Sequence, residues 1–238
     1  MQPAAFDEPF ICGKMNTELF IRKLVEKNSE EQASSWLFEQ ALLLHAETGS
    51  AVLFGSFTLI PRKLGKKEIT LSATEETELE SLLPGWRLQD WTIDRLARVW
   101  LLMQLPSADA LTYVQKIEAL FANADMNELV ALYSSLPVLA YPEQWKQRCA
   151  EGIRSNIGTV LEAIMYHNPY AANWLDEAAW NQLVMKAFFT NKDMKKVNGL
   201  YRRNNKNLAD ILRDFAKERQ AAARVVPDHL WELAEKFS

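Results

Sequence analysis

The stretch Thr92-Ile93-Asp94-Arg95-Leu96-Ala97-Arg98-Val99-Trp100-Leu101-Leu102-Met103 governs how the rest of the chain reads. Thr92 is a natural N-cap, and Ile93, Leu96, Ala97, Trp100 and Met103 recur at helical spacing. From Val99 to Met103 the segment is apolar all round. A helix of that kind is covered on more than one side, so it belongs at the centre of a molecule. The flanking sequence offers other helices to cover it and no convincing run of alternating strand residues.

Upstream, Asn16 is placed to cap a helix carrying Leu19, Phe20, Leu24 and Val25. Ser29 with Gln32 has the form of a capping box and opens a helix with Ala33, Trp36, Leu37, Ala41 and Leu44 on one face, closed by Gly49. Ala51 to Ile60 is apolar but too short for periodicity to choose between a buried helix and a strand. Pro61 is expected to end it. Arg62 to Leu71 reads as a basic connector, and Thr74 as the start of an acidic helix stopped by Pro84 and Gly85. Downstream, Pro106-Ser107, Asp125 and Pro142 each open a helix. Asn156 is expected to break the last of these and cap a segment with Val160, Leu161, Ile164 and Met165. Further helices are expected at 176–190, 193–201, 207–224 (capped by Asn207) and 228–237. Connections are short and no repeat of fixed period is visible. The expected fold is all-α: an irregular, helical-repeat-like array of about ten to twelve short antiparallel helices. It forms a single domain over 16–238, after a loose leader over 1–15 that carries Pro3 and Pro9.

Composition narrows the function classes. The chain has 238 residues, of which 48% are hydrophobic, enough for a core that needs no metal or disulfide. Its eight Trp are spread along the sequence, so each is expected to anchor a different helix contact. Cys12 and Cys149 have no motif spacing, which favours two free thiols and a cytoplasmic location. The apolar run at 51–60 is far short of the roughly 20 residues a membrane span needs, so an integral membrane protein is not expected. None of the three His sits in a metal-ligand spacing, and no Gly-rich phosphate loop or nucleophile elbow is present. No metal or cofactor is expected. Net charge is −4 but uneven: Lys186 to Arg224 holds eleven Lys or Arg and four acids, leaving +7 there and −11 elsewhere. Lys195, Lys196, Arg202, Arg203 and Lys206 form the densest part. This is either a solvated helix face or a docking patch for an anion or an acidic protein. Tyr201 is the only aromatic interleaved with it, so nucleic acid is not the expected partner.

One segment concentrates aromatics and hydrogen-bonding groups: Tyr166-His167-Asn168-Pro169-Tyr170, then Trp174, then Asp176-Glu177-Ala178-Ala179-Trp180-Asn181-Gln182, then Lys186. Two readings stand side by side. In the first, these groups cap and brace a helix–turn–helix corner. In the second they form a ligand pocket, with Tyr166, Tyr170, Trp174 and Trp180 as walls and His167, Asn168, Asn181 and Lys186 as polar groups. If the pocket were catalytic, His167 would be the general base, oriented by Glu177 or Asp176.

Met165 to Phe189, MYHNPYAANWLDEAAWNQLVMKAFF, resembles the hallmark block of EboA-domain proteins, with Ala171 where that block has a second proline. Leu59-Ile60-Pro61-Arg62, Pro84-Gly85-Trp86 and Leu212-Arg213-Asp214-Phe215-Ala216-Lys217-Glu218-Arg219 resemble weaker blocks of the same family in the same order. The resemblance implies a place in a gene cluster that makes or exports a small secondary metabolite, beside a prenyltransferase-like membrane protein and hydrolase-like and isomerase-like enzymes. It draws attention to His167, Asn168, Pro169, Tyr170, Asp176, Glu177, Trp180, Asn181 and Lys186. The expected function is a non-catalytic protein that binds a small aromatic or isoprenoid-like metabolite, or a pathway partner protein. The alternative is an enzyme of the same pathway with a His/carboxylate acid–base pair.

Overall fold

The computed structural model describes residues 8–46 and 50–237, with side chains from Met15 onward. Gly49, the Cys12 side chain and the first seven residues of the leader therefore lie outside what is described. Thirteen α-helices make up the described chain: α1 (Glu8–Asn28), α2 (Glu31–Ala46), α3 (Ala51–Leu64), α4 (Ala73–Leu82), α5 (Ile93–Met103), α6 (Ala110–Asn123), α7 (Met126–Ser135), α8 (Lys146–Arg154), α9 (Gly158–Met165), α10 (Tyr170–Trp174), α11 (Glu177–Phe189), α12 (Lys206–Ala221) and α13 (Asp228–Ala234). Short 3₁₀ turns join some of them. Extended pairing among the described residues is limited to two isolated bridges, Glu68 with Thr92 and Tyr166 with Val197.

The 92–103 stretch does form the central helix. Val99, Leu101 and Leu102 are fully buried, as are Ile93, Leu96 and Ala97. It packs against α1, α3 and α7, and α7 packs in turn against α9, so α3–α5–α7–α9 forms a spine. The most extensive contacts along that spine skip one helix at a time, whereas neighbours in sequence pair mainly as α2–α3, α8–α9 and α12–α13.

Two charged residues of α5 also lie in the core. Arg98 is 2% exposed; its Nη1 donates to Asp94 Oδ2 at 2.9 Å and its Nη2 lies 3.9 Å from Glu128 on α7. Its Nε donates at 3.0 Å to the carbonyl of Phe57 on α3. That carbonyl is free because Pro61, four residues on, has no N–H to offer it. Thr58 donates its hydroxyl to Glu128 at 3.0 Å and completes the tie between α3, α5 and α7. Pro61 thus sits inside α3 and does not end it: a side chain from another helix replaces the missing bond.

Several expected boundaries shift. α1 begins at Glu8, so Asn16 lies within it and caps nothing. The backbone carbonyl of Glu30, not a Ser29–Gln32 box, receives the first bonds of α2, and Ser29 turns back to donate to Val25. Ser72 caps α4 in a capping box with Glu75, two residues before Thr74. Asp109 caps α6, so Pro106 and Ser107 precede it. Asn156 lies in the connection between α8 and α9, and Asn205 caps α12 in place of Asn207. The segment at 193–201 holds only the 3₁₀ turn Met194–Lys196, capped by Asp193, and Gly199 beyond it adopts a positive φ. Thr92 and Asp125 stand at the N-caps where the sequence puts them, and of the two candidates Asp176 and Glu177 it is Asp176 that caps α11.

Candidate functional site

The aromatic–polar block of 166–186 folds as a corner followed by α10 and α11. Most of its polar groups are engaged in holding that corner. Asn168 is buried: its amide donates to the carbonyls of Ala163 (2.8 Å) and Tyr133 (3.1 Å), and its Oδ1 accepts from the Tyr170 N–H at 3.0 Å. The Tyr170 hydroxyl donates to the Pro142 carbonyl at 2.6 Å, and burial raises its pKa. Asp176 accepts from the Ala179 N–H at 2.7 Å and caps α11. Asn181 exchanges amide bonds with Asn205, at 2.8 and 3.3 Å, joining α11 to the start of α12. Lys186 donates to Asn156 at 3.2 Å, and Glu177 accepts from Asn207 at 2.6 Å. Trp180 is fully buried beneath the Arg203 guanidinium, 5.3 Å from its ring.

The Trp180 indole N–H has no hydrogen-bond partner, and His167 is the other exception. It takes a left-handed backbone conformation, φ 51°, which a non-glycine residue adopts only where its surroundings impose it. Its N–H donates to the Lys196 carbonyl at 2.9 Å and its own carbonyl accepts from the Arg87 N–H at 3.1 Å. Asn198 donates its N–H to the Met165 carbonyl at 3.0 Å and its amide to the Gly85 carbonyl at 2.9 Å. Three distant segments, 85–90, 165–168 and 193–199, are stitched together at this residue. The ring is half-buried, and its Nε2 is buried without a hydrogen-bond partner. Burial, then the Arg87 and Lys196 charges, hold its pKa below the ordinary histidine value. The carboxylates that act on it are Asp90 and Asp193. Neither Glu177 nor Asp176 bonds to it, so the structure does not bring the proposed acid–base pair together.

The block borders two modest concavities on different sides. Trp174 and Asp176 line one of about 430 Å³ with Lys146 and Ala179. Glu177 and Asn181 line another of about 510 Å³ with Met185, Asn207 and Ile211. Tyr166 faces the 193–197 turn, where its hydroxyl accepts from the Asp193 N–H at 2.7 Å, and Asn168, Tyr170 and Trp180 face the core. The block therefore does not enclose one pocket.

A groove of about 900 Å³ lies instead between α4, the Glu68–Leu71 segment and the Trp86–Asp90 loop, the same loop that His167 holds. Its apolar lining is Ile69, Leu71, Leu79, Trp86 and Leu88, and Glu68, Glu76, Glu80, Arg87 and Asp90 supply charge. The Gly85 N–H donates to Glu80 at 3.1 Å and fixes the turn that leads in; Gly85 has φ 78°, which glycine adopts without strain. Bonds from Ile69 N–H to Trp91 carbonyl and from Ile93 N–H to Lys67 carbonyl, both 2.9 Å, anchor the 67–69 wall to the start of α5. Trp86 is 1% exposed and meets Trp91 edge-on at 5.6 Å, and its indole N–H has no acceptor. A buried donor left unpaired costs about 1–3 kcal/mol. From sequence, Trp86 stands out only within the Pro84-Gly85-Trp86 block, and the lack of period over 62–71 is the trace of the extended wall.

The basic patch is largely tied down. Arg203 donates to the carbonyls of Ala172 (2.8 Å) and Leu175 (3.0 Å), which are left open by the end of α10. Arg202 donates to Asn173 at 2.9 Å, Lys206 bonds Asp210 at 3.0 Å, and Lys196 lies 3.6 Å from Asp90. Lys195 is exposed.

Fold and site together define an all-helical protein with an open groove of the size that small-molecule ligands occupy. No helix among the described residues is long and apolar enough to cross a membrane, and no group of three His, Cys, Asp or Glu among them could hold a metal ion. The chain belongs to the EboA family: the family model described as metabolite traffic protein EboA matches residues 17–235. No curated protein and no solved structure matches the chain.

Proposed function

We propose that this protein is a non-catalytic binder of a small amphipathic metabolite, which it holds in the groove between α4 and the Trp86–Asp90 loop. The observation that carries the reading is the groove itself: about 900 Å³, lined by polar, charged and apolar side chains together. Volumes of about 300–1,000 Å³ with that mixture are typical of ligand sites. The family's association with metabolite traffic supports the same reading. The 165–189 block then acts as the brace for one groove wall through His167, while most of its other residues fix packing. The cytoplasmic location and the membership of a secondary-metabolite pathway expected from the sequence go with this reading.

Thr77 and Ser81 line the groove from α4 and are exposed, so Ser81→Trp fills it without disturbing the core. Nile red, a neutral apolar dye, is expected to brighten on binding the wild-type protein. In the Ser81→Trp variant the brightening should fall by about tenfold at an unchanged melting temperature. Full dye binding by a normally folded Ser81→Trp protein would show that the groove is not the site.

A further inference from the structure

His167 fastens the Trp86–Asp90 wall with its backbone and buries one end of its ring beside it. The fastening runs both ways: the His167 N–H donates to the Lys196 carbonyl at 2.9 Å, and the His167 carbonyl accepts from the Arg87 N–H at 3.1 Å. The residue makes both bonds at φ 51°, a conformation that disfavours any side chain with a Cβ. Its Nε2 is buried and has no hydrogen-bond partner. A neutral imidazole carries one N–H, but a charged one carries an N–H on both nitrogens. A protonated ring in this place would therefore hold a buried, charged N–H with no acceptor. The packed segments do not relieve it. The 85–90 loop carries Arg87 and Asp90, and the 193–198 turn carries Asp193, Lys195 and Lys196. Asp90 has Lys196 at 3.6 Å, and Glu162 on α9 pairs with Lys192. Of the charges that act on the ring, Arg87 and Lys196 oppose protonation more strongly than Asp90 and Asp193 favour it.

We propose that His167 is an acid-operated latch: on taking up a proton its ring leaves for water, and the main-chain bonds to Arg87 and Lys196 part as it goes. The left-handed backbone favours the same movement, because a residue freed from both bonds relaxes to an ordinary φ. The Trp86–Asp90 loop then loses its fastening to 165–168. Asn198, which ties the Met165 and Gly85 carbonyls into the same knot, is loosened with it. The wall is firm at neutral pH and comes away in acid. The consequence for a ligand rests on the groove reading above: a bound molecule is kept at neutral pH and lost in acid.

Hydrogen exchange on the full-length, ligand-free protein reads the latch. The Arg87, His167 and Asn198 amides are compared at pH 7.5 and 5.5, each rate divided by the intrinsic rate at that pH. Their protection is expected to fall about tenfold in acid while that of Leu101 and Leu102 in α5 holds. In His167→Asn the fall at Arg87 and Asn198 should vanish. Lys196→Gln removes an opposing charge and keeps the main-chain carbonyl, so it should make the fall smaller. Unchanged protection of the three amides in the wild type overturns the latch. An equal loss in α5 also overturns it, because the effect would then be global. Nile red affinity is measured at the same two pH values. A parallel fall ties the latch to the groove. Open amides with undiminished dye binding overturn the consequence for a ligand and leave the latch standing. Failure of the wild type to bind dye at pH 7.5 overturns the groove reading and, with it, that consequence alone.

Discussion

Asn168 shows how one side chain can set a corner. It satisfies two carbonyls and one N–H in the core, where water cannot replace it. Asn168→Ala leaves those three groups unpaired, and each costs about 1–3 kcal/mol. We expect urea unfolding to show a loss of about 3 kcal/mol or more, or no folded protein at all; a loss under about 1 kcal/mol would mean the corner is held elsewhere. His167 acts through its backbone and titrates through its ring. Its folded pKa lies below the 6.5 of the free side chain because burial and two neighbouring cations oppose the charge. As pH falls through about 6.5 the unfolded chain takes up the proton first, so stability is lost between that pH and the lower folded value. Above about 6.5 both states are neutral and the residue contributes no pH dependence. Asn tolerates the same positive φ, so His167→Asn should keep the corner and flatten this slope. Urea midpoints at pH 7.5 and 5.5 should differ less in the variant than in wild type; an equal difference would assign the slope to other groups.

At the scale of single helices, some caps were legible from the sequence, while the local caps Ser72 and Asp109 were passed over for Thr74 and Pro106-Ser107. Thr92, Asp125 and Asp176 each stand before an apolar-periodic run, and each occupies an N-cap. Two of the misreadings share a physical cause, which is that a partner from elsewhere in the chain decides. Pro61 passes as a helix stop until Arg98 is seen to take the carbonyl it leaves open. The sequence points to Asn207 as the cap of α12, whereas Asn205, which pairs with Asn181, holds that place. Helix packing also turns on residues that carry little local signal. Gly152 on α8 has no special backbone angle, yet a Cβ there would lie 2.5 Å from Ile164 Cδ1 on α9 and 2.6 Å from Tyr133 Cε1 on α7. Gly152→Ala gains about 1 kcal/mol of helix propensity but overpacks a closed contact, at a cost of about 1–3 kcal/mol. Thermal unfolding should show a lower melting temperature, and a raised one would mean that Tyr133 and Ile164 move aside freely.

Across the whole molecule, burial is concentrated along α3–α5–α7–α9, with α5 at its centre. Hydrogen exchange should accordingly be slowest in α5, α7 and α9, and much faster in α4, which buries only Leu79. Uniform protection along the chain would remove the distinction between spine and periphery. The fold class was legible because the 92–103 stretch demands cover on every side. The groove was not, since its walls come from a connector without period, a short acidic helix and a loop, and none of these carries a motif alone. The stitch at His167 bears on how such a protein would work. The Trp86–Asp90 wall is fastened by main-chain bonds to two segments far away in sequence, and the 67–69 wall is fastened to the central helix. A site bounded in this way is a shelf and not a box. Cargo can be set down and picked up without any part of the protein swinging aside, which suits a courier that surrenders its load to the next carrier more than a vault that keeps it.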